Sequence, residues 1–137
     1  MLPIRHSGLW RISSAVILLL VLVLTLLPTF WFFDNKAKAF DWFQHVDKWL
    51  HAVTFMALTL WFTGLYERRV WWLMALGLLV FGFLIEFCQL QISYRMAEWM
   101  DIAANTAGII IGLTVAAAGL GGWSLRVEDW YSRRHRN

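Results

Sequence analysis

The segment ISSAVILLLVLVLTLLPTFWFF, residues 12–33, contains no charged side chain. As an α-helix it would extend about 33 Å at 1.5 Å per residue, which exceeds the roughly 30 Å hydrocarbon core of a bilayer. Three further apolar runs follow at residues 49–66, 70–91 and 102–125. The sequence therefore predicts an all-α membrane protein, a bundle of four transmembrane helices that forms one domain over residues 1–137.

The overall composition supports this class. Of the 137 residues, 60% are hydrophobic and 15% are charged, a balance typical of integral membrane proteins. Cys88 is the only cysteine, which excludes an intramolecular disulfide and a cysteine-based metal site. No continuous basic face interleaved with aromatic residues is visible, so we do not expect a nucleic-acid partner.

The placement of lysine and arginine predicts the orientation, because cytoplasmic loops are enriched in these residues. With a cytoplasmic N-terminus, the inner segments hold eight basic residues, namely Arg5, Arg11, Arg68, Arg69, Arg126, Arg133, Arg134 and Arg136. The outer segments then hold four, namely Lys36, Lys38, Lys48 and Arg95. We therefore expect both termini on the cytoplasmic side of the cell membrane.

The connector between the first two spans has helical periodicity. Phe40, Phe43, Val46 and Leu50 recur at intervals that place them on one helix face. This pattern predicts an amphipathic helix at the membrane interface that continues into the second span. The same helix could also cover polar groups beneath it, and the two interpretations are compatible.

The last span carries small residues four positions apart, at Ala104, Gly108, Gly112 and Ala116. Such spacing allows helix backbones to approach closely, so we interpret the stripe as a helix-packing surface. It could serve this chain's own bundle or a second copy in a homo-oligomer.

Polar side chains cluster at the start of the second span, near the end of the third and at the start of the fourth. The predicted topology places all three of these positions on the outer side of the membrane. This polar cluster consists of Asp47, Lys48, His51, Glu86, Gln89, Asp101 and Asn105. Arg95, in the connector before the fourth span, is close enough in sequence to pair with Glu86 or Asp101. An ionisable group costs at least about 2.5 kcal/mol at the centre of a membrane span, so these residues require an explanation.

Two interpretations of the ionisable residues remain open. His51 could hydrogen-bond Asp47 or a backbone carbonyl, or act as a general base or metal ligand. Glu86 could form a structural ion pair with Arg95 or Lys48, or take part in chemistry. Asp101 and Asp47 could each cap the start of a helix.

The functional interpretation assigns these residues to two groups. His51, Glu86 and Asp101 are the candidate catalytic residues. The candidate ligand-binding residues are Asp47, Lys48, Gln89, Arg95 and Asn105. Asp47, His51, Glu86 and Asp101 also offer oxygen and nitrogen ligands suited to a metal ion, although no compact metal-binding motif is present and the sequence specifies no cofactor.

The order and spacing of these residues resemble the VanZ-like family. The resemblance rests on Asp47-Lys48-x-x-His51, Glu86-x-x-Gln89, Arg95 and Asp101-x-x-x-Asn105-x-x-Gly108-x-x-x-Gly112, and covers about residues 12–120. Glu98 departs from the family pattern, which often has a short polar residue such as serine between the positions matching Arg95 and Asp101. The resemblance implies a small bacterial membrane protein of the cell envelope. It also implies a link to the response to glycopeptide-type antibiotics such as teicoplanin.

Three functional hypotheses follow. The favoured one is a non-catalytic envelope protein whose outward-facing polar cluster binds a lipid or amphiphilic ligand. The alternative is a membrane enzyme acting on a lipid head group or lipid-linked envelope molecule, with His51 as general acid or base and Lys48 and Arg95 holding a phosphate. A proton-linked transporter is least favoured, because the cluster is confined to one side of the membrane.

Overall fold

The computed structural model describes residues 1–4, 6–27, 36–91 and 99–134, with only the backbone of residues 36–45. These ranges contain five α-helices and no β-strand, which confirms the predicted all-α class. The helices are α1 (Ser7–Leu26), α2 (Lys36–Leu65), α3 (Trp71–Leu90), α4 (Trp99–Val115) and α5 (Trp123–Arg134). A short 3-10 turn, Arg68–Val70, precedes α3, and a π-helical turn, Ala116–Leu120, extends α4.

Three helical segments in the described ranges are long and apolar enough to cross a membrane. They are Ser7–Leu26, Arg68–Leu90 and Trp99–Leu120, which correspond to the first, third and fourth predicted spans. Many of their large apolar side chains are exposed, as expected for helices that contact lipid. The second predicted span lies within α2, which is longer but less apolar than the other three.

The contacts between helices define their relative directions. Gln89, near the end of α3, donates a hydrogen bond to the carbonyl oxygen of Thr25, near the end of α1, at 3.0 Å. At the opposite end, the Trp71 ring at the start of α3 packs against Gly121, just beyond α4. Thus α1 and α3 run in one direction and α4 runs in the other.

The helix α2 runs parallel to α4 and packs along its length. Gly108 approaches so closely that a Cβ atom there would overlap the carbonyl oxygen of Ala52. One turn later, a Cβ at Gly112 would lie 2.7 Å from the Cβ of Thr59 and 3.0 Å from the carbonyl oxygen of Met56. The small-residue stripe is therefore a packing surface for this chain's own α2, as one of the two interpretations predicted.

The fourth predicted span, residues 102–125, is not one continuous helix. The helix begins at Trp99 and is interrupted at Gly119, whose φ of 136° is accessible mainly to glycine. The chain turns at Gly122, where φ is 69°, and α5 begins at Trp123. Arg126 closes the helix end by donating a hydrogen bond from Nη2 to the carbonyl oxygen of Gly119 at 2.9 Å.

The helix α2 begins well before the second predicted apolar run. Its backbone is helical from Lys36, so the predicted connector helix does continue into the second apolar run. Asp47 therefore lies inside α2, where backbone amides already have helical partners. The expectation that Asp47 caps a helix start is wrong for this reason. Asp101, by contrast, lies in the first turn of α4.

The opposite end of the bundle is closed by an aromatic and polar network. The rings of Trp10, Trp61 and Trp123 lie 5.5–5.6 Å apart between centroids. Ser124 donates a hydrogen bond to the carbonyl oxygen of Gly64, and Trp10 Nε1 donates one to Glu128 at 3.1 Å. These contacts join the start of α1, the end of α2 and α5, with Trp61 packed among them.

The contact at Gly108 yields a stability prediction. Gly108→Ala should lower the free energy of unfolding by about 1–3 kcal/mol, because the new methyl group must displace the Ala52 carbonyl. Reversible unfolding in detergent, followed by circular dichroism, would measure this change.

Gly77→Ala is the matched control, because a Cβ at Gly77 in α3 meets no atom within 4 Å. Alanine should raise stability there by up to about 1 kcal/mol through its helix propensity. Equal effects of the two substitutions would contradict the assignment of Gly108 to the helix contact.

Candidate functional site

Five members of the polar cluster are buried at one end of the bundle. They are contributed by three helices: His51 from α2, Glu86 and Gln89 from α3, and Asp101 and Asn105 from α4. Each has an exposed fraction of 4% or less. The structure therefore brings together these residues, which are far apart in the sequence.

His51 is held by a side chain from another helix. Its Nδ1 atom lies 2.9 Å from Oδ1 of Asn105. Because an amide oxygen can only accept, Nδ1 carries the proton of this hydrogen bond, and in a neutral imidazole Nε2 is then the acceptor. The sequence predicts Asp47 or a backbone carbonyl as a hydrogen-bond partner of His51. In the structure the partner of Nδ1 is Asn105, which the sequence did not indicate.

The second ring nitrogen of His51 lies near the carboxylate of Asp47. Nε2 lies 4.0 Å from Oδ2 of Asp47, one helical turn earlier on α2. One potential ligand atom from each of Asp47, His51 and Asp101 lies within 4.8 Å of the others. Asp47 is the most exposed of the three, with 28% of its side chain accessible, whereas His51 and Asp101 are buried.

The helix register places Glu86 at the level of these two aspartates. A Cβ at Gly82 would lie 3.0 Å from Nδ2 of Asn105, so α3 meets α4 at this point. Because α3 and α4 are antiparallel, one turn onward from Gly82 is Glu86, and one turn back from Asn105 is Asp101. Glu86 and Asp101 therefore belong to the same layer, and Asp47 joins it from α2.

Gln89 extends the cluster toward α1 through its hydrogen bond to the Thr25 carbonyl. Lys48 is partly buried and follows Asp47 on α2. Arg95, predicted to bind a ligand, and Glu98, the departure from the family pattern, lie outside the described residues.

Two contributors to the site were not anticipated from the sequence. Gly82 and Phe55 lie around the Asn105 amide, as shown by the atoms that a Cβ at Gly82 would meet. For Gly82, the sequence feature that could have indicated this role is its spacing from Glu86. That spacing places a small residue one turn from an acid on the same helix face.

The arrangement supports two kinds of chemistry. An imidazole with a fixed tautomer can accept a proton or bind a metal ion through Nε2. The buried carboxylates can accept hydrogen bonds from hydroxyl or ammonium groups, or act as oxygen ligands to a cation.

Comparison with known proteins gives one match. The family model described as VanZ/LLP1 matches residues 7–120, which includes every described member of the polar cluster. Neither the search of curated proteins nor that of solved structures finds a match.

The hydrogen bond between His51 and Asn105 is open to a direct test. Asn105→Ala should lower the free energy of unfolding by about 1–3 kcal/mol, because it leaves a buried polar atom of His51 without its acceptor. It should also change the tautomer of His51, which ¹⁵N NMR of a histidine-labelled sample can detect.

Thr106→Ala provides the control from the adjacent residue of α4. The Thr106 hydroxyl donates only to the Ile102 carbonyl of its own helix, so the His51 tautomer should not change. An unchanged histidine spectrum in Asn105→Ala would show that Asn105 does not determine the tautomer.

Proposed function

Because the chain belongs to the VanZ/LLP1 family and has apolar helices able to cross a membrane, we propose that it is a four-span envelope protein whose polar cluster binds a lipid head group. The observation that carries the proposal is the convergence of five buried polar side chains from α2, α3 and α4 at one end of the bundle. The ligand is a lipid or another amphiphile with its polar part in the cluster.

The packing of α2 supports the fourth span. This helix lies parallel to α4 and contacts it from Ala52 to Thr59, through Gly108 and Gly112. A helix packed so closely along a membrane-spanning partner occupies the same depth. Its limited hydropathy is consistent with this position, because its buried polar residues His51, Thr59 and Thr63 face the protein interior.

The proposed orientation has both termini in the cytoplasm and the polar cluster at the outer face of the cytoplasmic membrane. The excess of arginine in the inner segments supports it. With this orientation the cluster lies on the side of the membrane that holds the outer-leaflet lipids and the lipid-linked molecules of the envelope, and the partly exposed Asp47 is its most accessible acid. A role in the response to glycopeptide-type antibiotics, which act at that face, is compatible with this location.

The chemistry of the cluster defines the head group. Carboxylates of Asp47, Glu86 and Asp101 and Nε2 of His51 accept hydrogen bonds, which suits hydroxyl or ammonium groups. Lys48 supplies a positive charge for a phosphate. A phospholipid or lipid-linked sugar with both donors and a phosphate therefore fits best.

A second candidate function is a membrane enzyme that acts on such a head group. The fixed tautomer of His51, with Nε2 directed toward Asp47, is the observation that favours it. In this case His51 is the general base, and Glu86 and Asp101 are the partner carboxylates.

Head-group binding can be tested by native mass spectrometry of the detergent-solubilised protein. We expect phosphatidylglycerol to be retained more strongly than diacylglycerol, which has the same chains without the phosphoglycerol. His51→Gln and Glu86→Gln should each reduce this preference about tenfold, equivalent to about 1.4 kcal/mol.

The control for this experiment is Asp129→Asn, which removes a carboxylate from α5 at the other end of the bundle. It should leave the preference unchanged. If both cluster variants retain phosphatidylglycerol like the unmodified protein, the cluster is not the head-group site. Conversion of the retained lipid to a product, lost in His51→Gln, would favour the enzyme.

The four-span topology predicts a specific labelling pattern. In a Cys88→Ala background, Lys36→Cys should react with a membrane-impermeant maleimide in intact cells. Arg69→Cys and Ser132→Cys should react only after permeabilisation, because α2 carries the chain back to the cytoplasm. Labelling of Lys36→Cys and Arg69→Cys from the same side would show that α2 does not cross the membrane.

A further inference from the structure

We propose that Asp47, His51 and Asp101 form a binding site for a divalent transition-metal ion, with Zn²⁺ the best match to their ligand atoms. The two aspartates and the histidine come from α2 and α4, and one ligand atom from each lies within 4.8 Å of the others. This goes beyond head-group binding, because the metal binds whether or not a lipid is present.

The orientation of His51 is the first argument. Metal-bound histidines typically donate their second ring N–H to a carbonyl or carboxylate oxygen, which fixes the tautomer and directs the lone pair to the metal. Here Nδ1 donates to the Asn105 amide oxygen at 2.9 Å, and Nε2 faces Asp47. Asn105 thus acts as a positioning residue: it lies on α4, packs against Gly82 of α3 and has 1% of its surface exposed.

The electrostatics of the layer provide the second argument. Asp47, Asp101 and Glu86 lie at one level of the bundle, and both Glu86 and Asp101 are 3% exposed. Carboxylates that share an apolar layer repel one another, and this repulsion has an energetic cost. A divalent ion brings two positive charges to the centre of this layer, which lowers that cost.

The ligand set selects the metal. Mg²⁺ and Ca²⁺ prefer six or more oxygen ligands, whereas an imidazole nitrogen favours zinc and neighbouring transition metals. Zinc bonds of about 2.0–2.2 Å place tetrahedral ligand atoms about 3.4 Å apart, so the three side chains must close slightly from their present spacing. Three protein ligands leave one position for water or for an oxygen of a head group.

Zinc binding can be measured on the full chain purified without a histidine tag. After equilibration with Zn²⁺ and removal of the excess, elemental analysis should give one bound zinc per chain. His51→Gln and Asp101→Asn should lose this stoichiometric zinc. Asn105→Ala should keep all three ligands and bind zinc about 10–100-fold more weakly, the effect expected when a histidine loses its orienting partner.

The controls replace similar residues elsewhere. His6→Gln removes a histidine that is largely exposed at the opposite end, and Asp129→Asn removes an exposed carboxylate, so both should retain zinc. Circular dichroism checks that each variant is folded. The visible spectrum of the Co²⁺ form gives a second readout, and it should show nitrogen and oxygen coordination without a thiolate charge-transfer band.

Two results would overturn the proposal. One is a folded, unmodified protein that retains no zinc or Co²⁺ at micromolar concentrations. The other is zinc that persists in folded His51→Gln and Asp101→Asn but disappears in His6→Gln. Loss of head-group binding alone does not affect the proposal, because these measurements contain no added lipid.

Discussion

The close packing of α2 against α4 determines where the side chains of the polar cluster lie. Gly108 allows the backbones to approach until a single methyl group would overlap the Ala52 carbonyl. The same contact brings His51 within hydrogen-bonding distance of Asn105, and one turn further it places Asp47 near Asp101. A wider separation of these helices would break the hydrogen bond and separate the carboxylates, so the site depends on glycine at this contact.

The sequence alone predicted most helices but few of their pairings. Uninterrupted apolar runs indicate spans because backbone hydrogen bonds must be satisfied within the membrane, and this argument is local. The pairing of His51 with Asn105 joins residues 54 positions apart, and no local pattern encodes such a contact. The end of α4 was missed for a different reason: the glycines at Gly119, Gly121 and Gly122 signal a helix stop, but the apolar residues around them extend the hydropathy beyond it.

The ionisable residues show the same difference between features that the local sequence predicts and features that only the helix packing determines. An acid such as Glu86 can be recognised from the sequence. Placing it within an apolar membrane segment costs free energy whichever helices pack around it. Its alignment with Asp101 required the antiparallel register of α3 and α4, which the contact at Gly82 provides. The possibility that Asp47 caps a helix fails because the helix begins at Lys36, well before the apolar run beside Asp47.

The polarity of the inner face of α2 has a consequence for biogenesis. His51, Thr59 and Thr63 are buried mainly because α4 packs beside them, yet α4 is synthesised about fifty residues later. In the proposed four-span topology, α2 enters the lipid during translation before α4 is present to cover this face. In that topology the packing of α4 against α2 stabilises the inserted helix, so we expect membrane integration of the second and fourth spans to be cooperative. Mutations that weaken their contact would reduce the yield of inserted protein as well as its final stability.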